Sequence, residues 1–367
     1  MTRRLEDLAS PFLGGLIPYA PGKPIEEVER EFGIRNSVKV ASNENPLGPS
    51  PLAVAALREA LTGVHRYPDG GGHALRHALG KHWGVSPEMV VLGNGSNELL
   101  ELVGRCFLVP GDEAVYAAQS FVVYDMVAQM TGAAKVVIPL RDLTPDLEAM
   151  RRAVTSRSKV VFLANPNNPT GTAVPPGAVE AFLEGLPADL VAVLDEAYYE
   201  YLAPDRRPDA LRLVRGGRRI LVLRTFSKIY GLAGLRIGYG IGPADLVALL
   251  NRLRAPFNTS SLAQAAATAA LQDDTHVAST RAVTEAGRKY LTAQCRALGC
   301  GVVPSEANFL LVDVGRPGAA VTEALLRQGV IVRPMGGYGF PNHLRISVGT
   351  GPENERCIAA LRSVLGG

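Results

Sequence analysis

The sequence has no apolar run that approaches the roughly 20 residues a membrane-spanning helix needs. Its first residues also make a poor signal peptide, because Glu6 and Asp7 follow the early arginines and prolines interrupt the short apolar part. Basic residues form no block or stripe, since 38 Lys and Arg are scattered among 35 Asp and Glu for a net charge of +3. We therefore expect no membrane partner and no nucleic-acid partner.

Cysteine is scarce, and its spacing contains no CxxC pair. The four cysteines are Cys106, Cys295, Cys300 and Cys357. Free thiols in a reducing cytoplasm are the simplest interpretation, so we expect a cytoplasmic protein. Three histidines, His73, His77 and His82, fall on one predicted helix, but the sequence has no HExxH motif and no third ligand at a suitable spacing. We therefore expect no metal site.

Apolar strand-like runs alternate with helix-like stretches through most of the chain, a pattern that favours an α/β fold. The predicted strands cover residues 89–95, 113–118, 134–140, 159–166, 189–195, 219–227 and 236–242. Several are continuously apolar, as expected for strands buried on both faces of a sheet. The sequence therefore predicts a doubly wound, mostly parallel sheet with helices on both sides.

The pattern changes after Pro256. A long Ala-rich helical stretch (261–298) precedes three short predicted strands, at 308–314, 330–334 and 343–349, which indicate a smaller α+β domain. The opening segment, rich in Pro and Gly, is typical of an arm that packs on another part of the protein or on another subunit. We expect an N-terminal arm (1–40) that contributes to the small domain and to dimer contacts, a large domain (41–256) and a small C-terminal domain (257–367).

Polar residues stand where four of the predicted strands end. Sites in open parallel sheets lie beyond the carboxyl ends of the strands, so these residues are site candidates. They are Gly95, Ser96 and Asn97 after the first strand, Asn168 after 159–166, Asp195 with Tyr198 after 189–195, and Ser227 with Lys228 after 219–227. We expect them to meet at one rim of the sheet.

The candidate residues suit pyridoxal 5′-phosphate (PLP). A lysine beside an apolar strand loses its proton readily and can act as a nucleophile. PLP needs such a lysine together with an acid for its ring nitrogen, and Lys228 and Asp195 fit these roles. The cofactor phosphate needs a helix N-terminus and a cation, which the predicted helix start at 95–97 and Arg236 would supply. Phe121 could stack on the ring.

Six motifs carry a resemblance that covers nearly the whole chain. In chain order they are SNENPLGPS, RYPDG, NPNNPTG, DEAYYEY, TFSKIYGLAGLRIGY and LRISVGT. Together they resemble the fold-type-I PLP-dependent aminotransferases, and within that family they are most similar to the histidinol-phosphate aminotransferases. The similarity extends from about Pro18 to the C-terminus, and SKxxxLAGLRxG with NNPTG upstream is a highly specific combination.

The resemblance implies a role for each cofactor residue. Lys228 is the lysine that carries PLP as a Schiff base and relays the proton, and Asp195 pairs with the ring nitrogen. Tyr198 and Asn168 flank the ring oxygen. The residues implied to hold the phosphate are Ser96, Asn97, Ser227 and Arg236, together with Tyr67 from the neighbouring subunit of a homodimer. Phe121 departs from the family pattern, in which many members have Tyr, so stacking is kept but a hydroxyl is lost.

The resemblance also implies how substrate is bound. Arg345 binds the anionic group, while Arg333 and Tyr19 match positions that contact the substrate phosphate. The expected reaction transfers an amino group between L-histidinol phosphate and 2-oxoglutarate. An aromatic amino acid aminotransferase is the main alternative, and a lyase such as a threonine-phosphate decarboxylase is a third. PLP-binding transcription regulators carry an N-terminal helix-turn-helix domain, and since the similarity already begins near Pro18, we expect an enzyme instead.

Overall fold

A computed structural model of the chain describes residues 4–18 and 22–366. Its α-helices are α1 (Ile25–Phe32), α2 (Pro51–Ala60), α3 (His73–Trp83), α4 (Gly95–Phe107), α5 (Val123–Thr131), α6 (Leu147–Arg152), α7 (Pro176–Gly185), α8 (Ala210–Arg215), α9 (Ala244–Leu253), α10 (Ser261–Ala270), α11 (Asp274–Ala297), α12 (Gly318–Leu326) and α13 (Gly351–Leu365). Its strands are β1 (Val38–Lys39), β2 (Val90–Asn94), β3 (Glu113–Ala117), β4 (Ala134–Ile138), β5 (Ser158–Ala164), β6 (Val191–Asp195), β7 (Ile220–Thr225), β8 (Ile237–Ile241), β9 (Gly301–Val302), β10 (Phe309–Asp313), β11 (Val330–Ile331), β12 (Arg333–Pro334) and β13 (His343–Ser347). None of the helices in the described ranges is both long enough and apolar enough to span a bilayer.

The larger sheet of the described chain has seven strands in the order β2–β8–β7–β6–β5–β3–β4. The strands from β3 to β7 pair in parallel, whereas β8 runs antiparallel to both of its neighbours. Each strand predicted from an apolar run before residue 256 lies in this sheet, and helices pack on both of its faces. The predicted α/β fold, with a mostly parallel and doubly wound sheet, is confirmed.

Strand β5 shows how both faces of this sheet are buried. Val161 and Leu163 belong to one core cluster with residues of α7, while Val160 and Phe162 belong to a second cluster with residues of α4 and α5. The two sets alternate because successive side chains of a strand point to opposite faces. Since helices cover both faces, the strand is apolar on both.

A second, antiparallel sheet of the described residues has the order β12–β13–β10–β9, and β10, β12 and β13 lie within the short runs predicted near the C-terminus. β1 pairs in parallel with β11, so the segment before the large sheet joins this smaller unit. Helix α10 lies beyond the expected domain boundary at residue 257, yet it packs against α2 and α3 in the core of the large sheet. The division at residues 40 and 256 stays a prediction.

Gly238 on β8 lies against the first turn of α4. A Cβ atom at this position would be 2.5 Å from the backbone nitrogen of Ser96 and 2.8 Å from the carbonyl carbon of Gly95. We expect Gly238→Ala to lower the free energy of unfolding by about 1–3 kcal/mol, because the strand or the helix must shift. Urea denaturation followed by circular dichroism measures the change. Gly234→Ala is the matched control, since its Cβ position has no neighbour within 4 Å, and equal midpoints for both variants would contradict the prediction.

Candidate active site

The polar residues expected at strand ends meet at one edge of the large sheet. Strands β5, β6 and β7 end at this edge, and α4 begins there directly after β2. Strand β8 runs in the opposite direction, so Arg236, the residue before it, reaches the same edge. A cavity of about 500 Å³ opens here, and Arg345 from the second sheet also lines it.

Most of the residues predicted from the sequence line this cavity. They are Gly95, Ser96, Asn97, Phe121, Asn168, Asp195, Tyr198, Ser227, Lys228, Arg236 and Arg345. The lining also includes residues that were not predicted, among them Ser42, Asn43 and Tyr124. The cavity is therefore the candidate active site.

Lys228 follows β7 and reaches into the cavity. Its Nζ donates a hydrogen bond to the carbonyl oxygen of Ser42, 3.3 Å away. Burial, together with the positive charges of Arg345 and Arg236, lowers the pKa of Lys228 to about 8. Near neutral pH a useful fraction of this side chain is therefore the uncharged amine, which is the nucleophilic form.

Asp195 ends the central strand β6 with a buried carboxylate. The Tyr124 hydroxyl donates to its Oδ2 at 2.8 Å, and the backbone N–H of Ala197 donates to its Oδ1 at 3.2 Å. Burial raises the pKa of Asp195, and these two hydrogen bonds oppose that rise. Tyr124 is itself fully buried, with its ring stacked on Phe162 at 5.0 Å between centroids. Tyr124 was not among the predicted site residues, because no local signal marks its contact with a carboxylate 71 positions along the chain.

Tyr198 is buried three residues after Asp195. Its hydroxyl accepts a hydrogen bond from the Asn43 side-chain amide at 3.0 Å, and its ring packs edge-on against Phe309. Burial raises the pKa of Tyr198 to about 12, so the hydroxyl keeps its proton at neutral pH and can donate it. Asn43 belongs to the motif SNENPLGPS, but the sequence alone could not indicate this contact.

The start of α4 and Arg236 form the part of the cavity best suited to bind an anion. Gly95 opens the helix at φ 71°, and the side chain of Asn94 before it makes no capping hydrogen bond. A Cβ at this glycine would lie 2.5 Å from Nη2 of Arg236. The Arg236 Nη1 also donates to the hydroxyl oxygen of Ser227 at 3.5 Å. Backbone N–H groups of a helix start next to a guanidinium suit a phosphate group, and the missing side chain at position 95 leaves space for the guanidinium.

Arg345 reaches the cavity from β13. Its Nη1 donates to Oδ1 of Asn168 at 2.7 Å and its Nη2 donates to the carbonyl oxygen of Ala41 at 2.8 Å. Arg333 on β12 stands directly opposite Arg345 in the antiparallel register, although it is outside the cavity lining. Directly opposed residues point to the same face of a sheet, so two cationic side chains leave the same face of the second sheet.

Tyr67 and Tyr19 are the remaining predicted residues. Tyr67 is 83% exposed and stacks on Phe257 at 4.7 Å between ring centroids, so it does not line the cavity of its own chain. Tyr19 lies outside the described residues. Within the described ranges, no group of three or more His, Cys, Asp or Glu residues comes together to hold a metal ion.

Comparison with known proteins assigns the family. The model of the family "Aminotransferase class I and II" matches residues 35–361. The chain belongs to this family. Among the similar relatives of this aminotransferase, the histidinol-phosphate aminotransferase of Anaeromyxobacter sp. (strain Fw109-5) is 52% identical over 361 residues, with 98% of this chain and 99% of the relative covered. Histidinol-phosphate aminotransferase 1 of Nitrosococcus oceani is 51% identical over 358 residues, covering 98% and 97%.

A solved structure agrees with the sequence relatives. The histidinol-phosphate aminotransferase of Sinorhizobium meliloti, crystallised in complex with pyridoxal 5′-phosphate, superposes with a TM-score of 0.90 at 30% identity, covering 98% of this aminotransferase and 97% of that chain. The family and the fold type expected from the six motifs are therefore confirmed.

The lowered pKa of Lys228 can be tested by chemical labelling. In the unliganded aminotransferase, the rate at which Lys228 reacts with trinitrobenzenesulfonate should rise with pH. It should reach half its maximum near pH 8, where Lys228 is an uncharged amine in half of the molecules. Peptide mapping by mass spectrometry at a series of pH values gives the profile, and the exposed Lys289 in the same digest is the reference. Identical profiles for the two lysines would show that the cavity does not perturb Lys228.

Proposed function

We propose that this aminotransferase uses PLP to transfer the amino group of L-histidinol phosphate to 2-oxoglutarate, giving imidazole acetol phosphate and L-glutamate in histidine biosynthesis. Two relatives named histidinol-phosphate aminotransferase are about 50% identical to this chain over nearly their full length. The observation that carries the proposal is that Arg333 and Arg345 stand directly opposite each other on neighbouring strands. Two arginines suit this substrate, because it has a dianionic phosphate where an amino acid has its α-carboxylate.

The cytoplasmic location expected from the free thiols remains a prediction.

The cavity fits PLP at three points. The start of α4 and Arg236 would hold the phosphate, Phe121 would lie against the ring, and Asp195 would pair with the ring nitrogen. When bound, PLP supplies an aldehyde that bonds covalently to amines and a conjugated ring that accepts electrons from the substrate carbon. Because Asp195 is a buried carboxylate with two hydrogen-bond donors already in place, it would keep a proton on the ring nitrogen.

Proton movement falls to Lys228. Its Nζ is the group that would hold the cofactor between turnovers. It would also take a proton from the substrate carbon and deliver it to the carbon that was the aldehyde of the cofactor. A pKa near 8 suits both directions of transfer, since a general acid or base works best when its pKa is close to the working pH. Tyr198 and Asn168 would donate hydrogen bonds to the ring oxygen, and Tyr198 retains its proton for that purpose.

The two arginines suit the change of substrate between the half-reactions. One guanidinium is sufficient for the carboxylate of glutamate, whereas a phosphate has more charge and more acceptor oxygens. Two cations directly opposite each other on a sheet repel, and a dianion between them would relieve the repulsion. If Arg345 alone binds the substrate anion, the site suits a substrate with a single carboxylate. The alternative, an aromatic amino acid aminotransferase, would then fit the site better.

We also propose a homodimer in which Tyr67 completes the cavity of the partner. Its exposed ring, stacked on the partly exposed Phe257, forms an aromatic patch on the surface. The patch is close to the rim of the cavity. Asn94 lines the cavity, and its side chain donates to the carbonyl of Asn258, the residue after Phe257. On the Tyr67 side, Arg254 donates to the carbonyl of Gly70 and so holds that loop beside the same segment. A second copy packed on this patch would bring each Tyr67 to the opposite site.

The substrate proposal predicts the behaviour of Arg333→Leu. Loss of one guanidinium should raise the barrier for histidinol phosphate by roughly 2–4 kcal/mol, because the phosphate loses a charge-assisted contact. The barrier for glutamate should rise clearly less, since Arg345 remains. Single-turnover measurements of kcat/KM with each amino donor test this. Arg316→Leu, at an exposed arginine of the smaller unit, is the control and should affect neither donor.

Two results would overturn the assignment to histidinol phosphate. One is an equal loss for both donors in Arg333→Leu, and the other is a preference of the wild-type enzyme for phenylalanine. The second result would favour the aromatic amino acid aminotransferase.

The dimer proposal predicts complementation. Mixed subunits of Lys228→Ala and a strongly impaired Tyr67 variant should regain roughly a quarter of wild-type activity, because half of the randomly reassembled dimers are mixed and each has one intact site. Lys228→Ala mixed with Asp195→Asn is the matched control, which should stay inactive because both residues line the cavity of one chain. No recovery in the first mixture, or a monomer in sedimentation, would refute the sharing of Tyr67.

A further inference from the structure

Asn43 has a backbone conformation that few residue types adopt. Its backbone is left-handed, at φ 56°, and the residue is 1% exposed. A left-handed backbone is uncommon outside glycine, although asparagine tolerates it better than most residues. The segment around it connects β1 of the smaller unit with α2 of the larger one, and its side chain faces the cavity beside Tyr198. Neither the sequence motif nor the proposed reaction so far gives this side chain a function.

The hydrogen bonds of Asn43 have a fixed direction. The Ser347 hydroxyl oxygen accepts the backbone N–H of Asn43 at 2.8 Å, and the same hydroxyl donates its proton to Oδ1 of Asn43 at 2.9 Å. Because Oδ1 is engaged by that proton, the NH₂ group of the amide faces the other way. It donates to the Tyr198 hydroxyl oxygen at 3.0 Å. An amide nitrogen can only donate, so Tyr198 is the acceptor and its own proton remains available to another group.

We propose that Asn43 is a positioning residue that turns the hydroxyl proton of Tyr198 toward the cofactor, with Ser347 fixing the orientation of the Asn43 amide. The inference rests on the proposed binding of PLP and on the role proposed for Tyr198. Without the amide donor, the Tyr198 hydroxyl is free to rotate, and its hydrogen bond to the ring oxygen weakens.

The smaller unit is the source of this orientation. Ser347 is two residues from Arg345 on β13, and its backbone N–H donates to the carbonyl of Val40 at 2.8 Å. Arg345 donates to the carbonyl of Ala41 in the same segment. The Asn43 carbonyl accepts a further bond from the Asn308 side chain at 3.0 Å. The strand that carries the substrate arginine therefore also orients the group that acts on the cofactor.

The test measures the apparent pKa of the enzyme-bound PLP chromophore by absorbance over a pH series. A hydrogen bond to the ring oxygen stabilises the deprotonated chromophore, so losing it raises that pKa. We expect Tyr198→Phe to raise it by about half a unit to one unit, and Asn43→Gly to raise it in the same direction. Glycine is chosen because it keeps the left-handed backbone without strain.

Three further variants separate positioning from a general disturbance. Asn43→Gly should have no additional effect in the Tyr198→Phe background, because the hydroxyl it orients is gone. Asn43→Asp should shift the chromophore at least as far as Asn43→Gly, since a carboxylate would draw the Tyr198 proton to itself. Asn45→Asp is the matched control for a new carboxylate nearby, as Asn45 donates to the Ile229 carbonyl and to Thr280, and it should leave the chromophore unchanged.

The outcomes are distinct. A wild-type chromophore pKa in Asn43→Gly, with a shift in Tyr198→Phe, overturns the role of Asn43 while the proposed function stands. A wild-type value in Tyr198→Phe itself overturns both the role of Tyr198 and this inference. Should Asn43→Gly fold poorly in thermal unfolding of the holoenzyme, Ser347→Ala is the second variant. It leaves Asn43 in place but releases the amide, so it should shift the chromophore in the same direction, and an unchanged value overturns the proposal.

Discussion

The buried carboxylate of Asp195 is the feature on which the rest of the site depends. Taking a carboxylate out of water costs several kcal/mol unless donors and a positive partner replace the water. Tyr124 and Ala197 supply the donors, and a protonated ring nitrogen would supply the positive charge. Its place at the end of the central strand β6, between β5 and β7, puts the carboxylate in the middle of the rim. Lys228, the start of α4, and the proposed ring-oxygen donors Tyr198 and Asn168 line the same cavity.

The next residue shows how the same side-chain chemistry serves the fold instead. Glu196 is also fully buried, but its Oε2 is 2.7 Å from Nη2 of Arg224, whose guanidinium lies 3.7 Å from the ring centroids of both Trp83 and Tyr199. Burial raises the pKa of Glu196 to about 7 even with this partner. The two neighbouring acids therefore differ in what compensates them: Glu196 has a cation of the chain itself, whereas Asp195 has only neutral donors within hydrogen-bond distance and faces the cavity.

The fold and much of the site could be predicted because their signals are local. Continuous apolar runs marked the strands of the large sheet. The polar residues at the ends of four of these runs line the cavity at the rim, since strands that run in the same direction share one carboxyl edge. Tyr124 and Asn43 could not be predicted in this way, because their partners are 71 and 155 positions away and become neighbours only in the folded chain. The packing of α10 on the large sheet could not be predicted either, because a run of alanines does not indicate which of two hydrophobic cores it packs against.

The segment from Val40 to Asn43 explains why the two ends of the cavity act as one structure. Arg345 and Ser347 are two positions apart on β13 and so point to the same face, and both bond to this segment. The carbonyl of Ser42 accepts from Lys228, and the amide of Asn43 donates to Tyr198. A movement of β13 therefore displaces Arg345, which we propose binds the substrate, and also disturbs the groups that hold Lys228 and Tyr198. The contact between the two units is thus part of the site, because neither unit alone contains both Arg345 and the residues proposed to hold the cofactor.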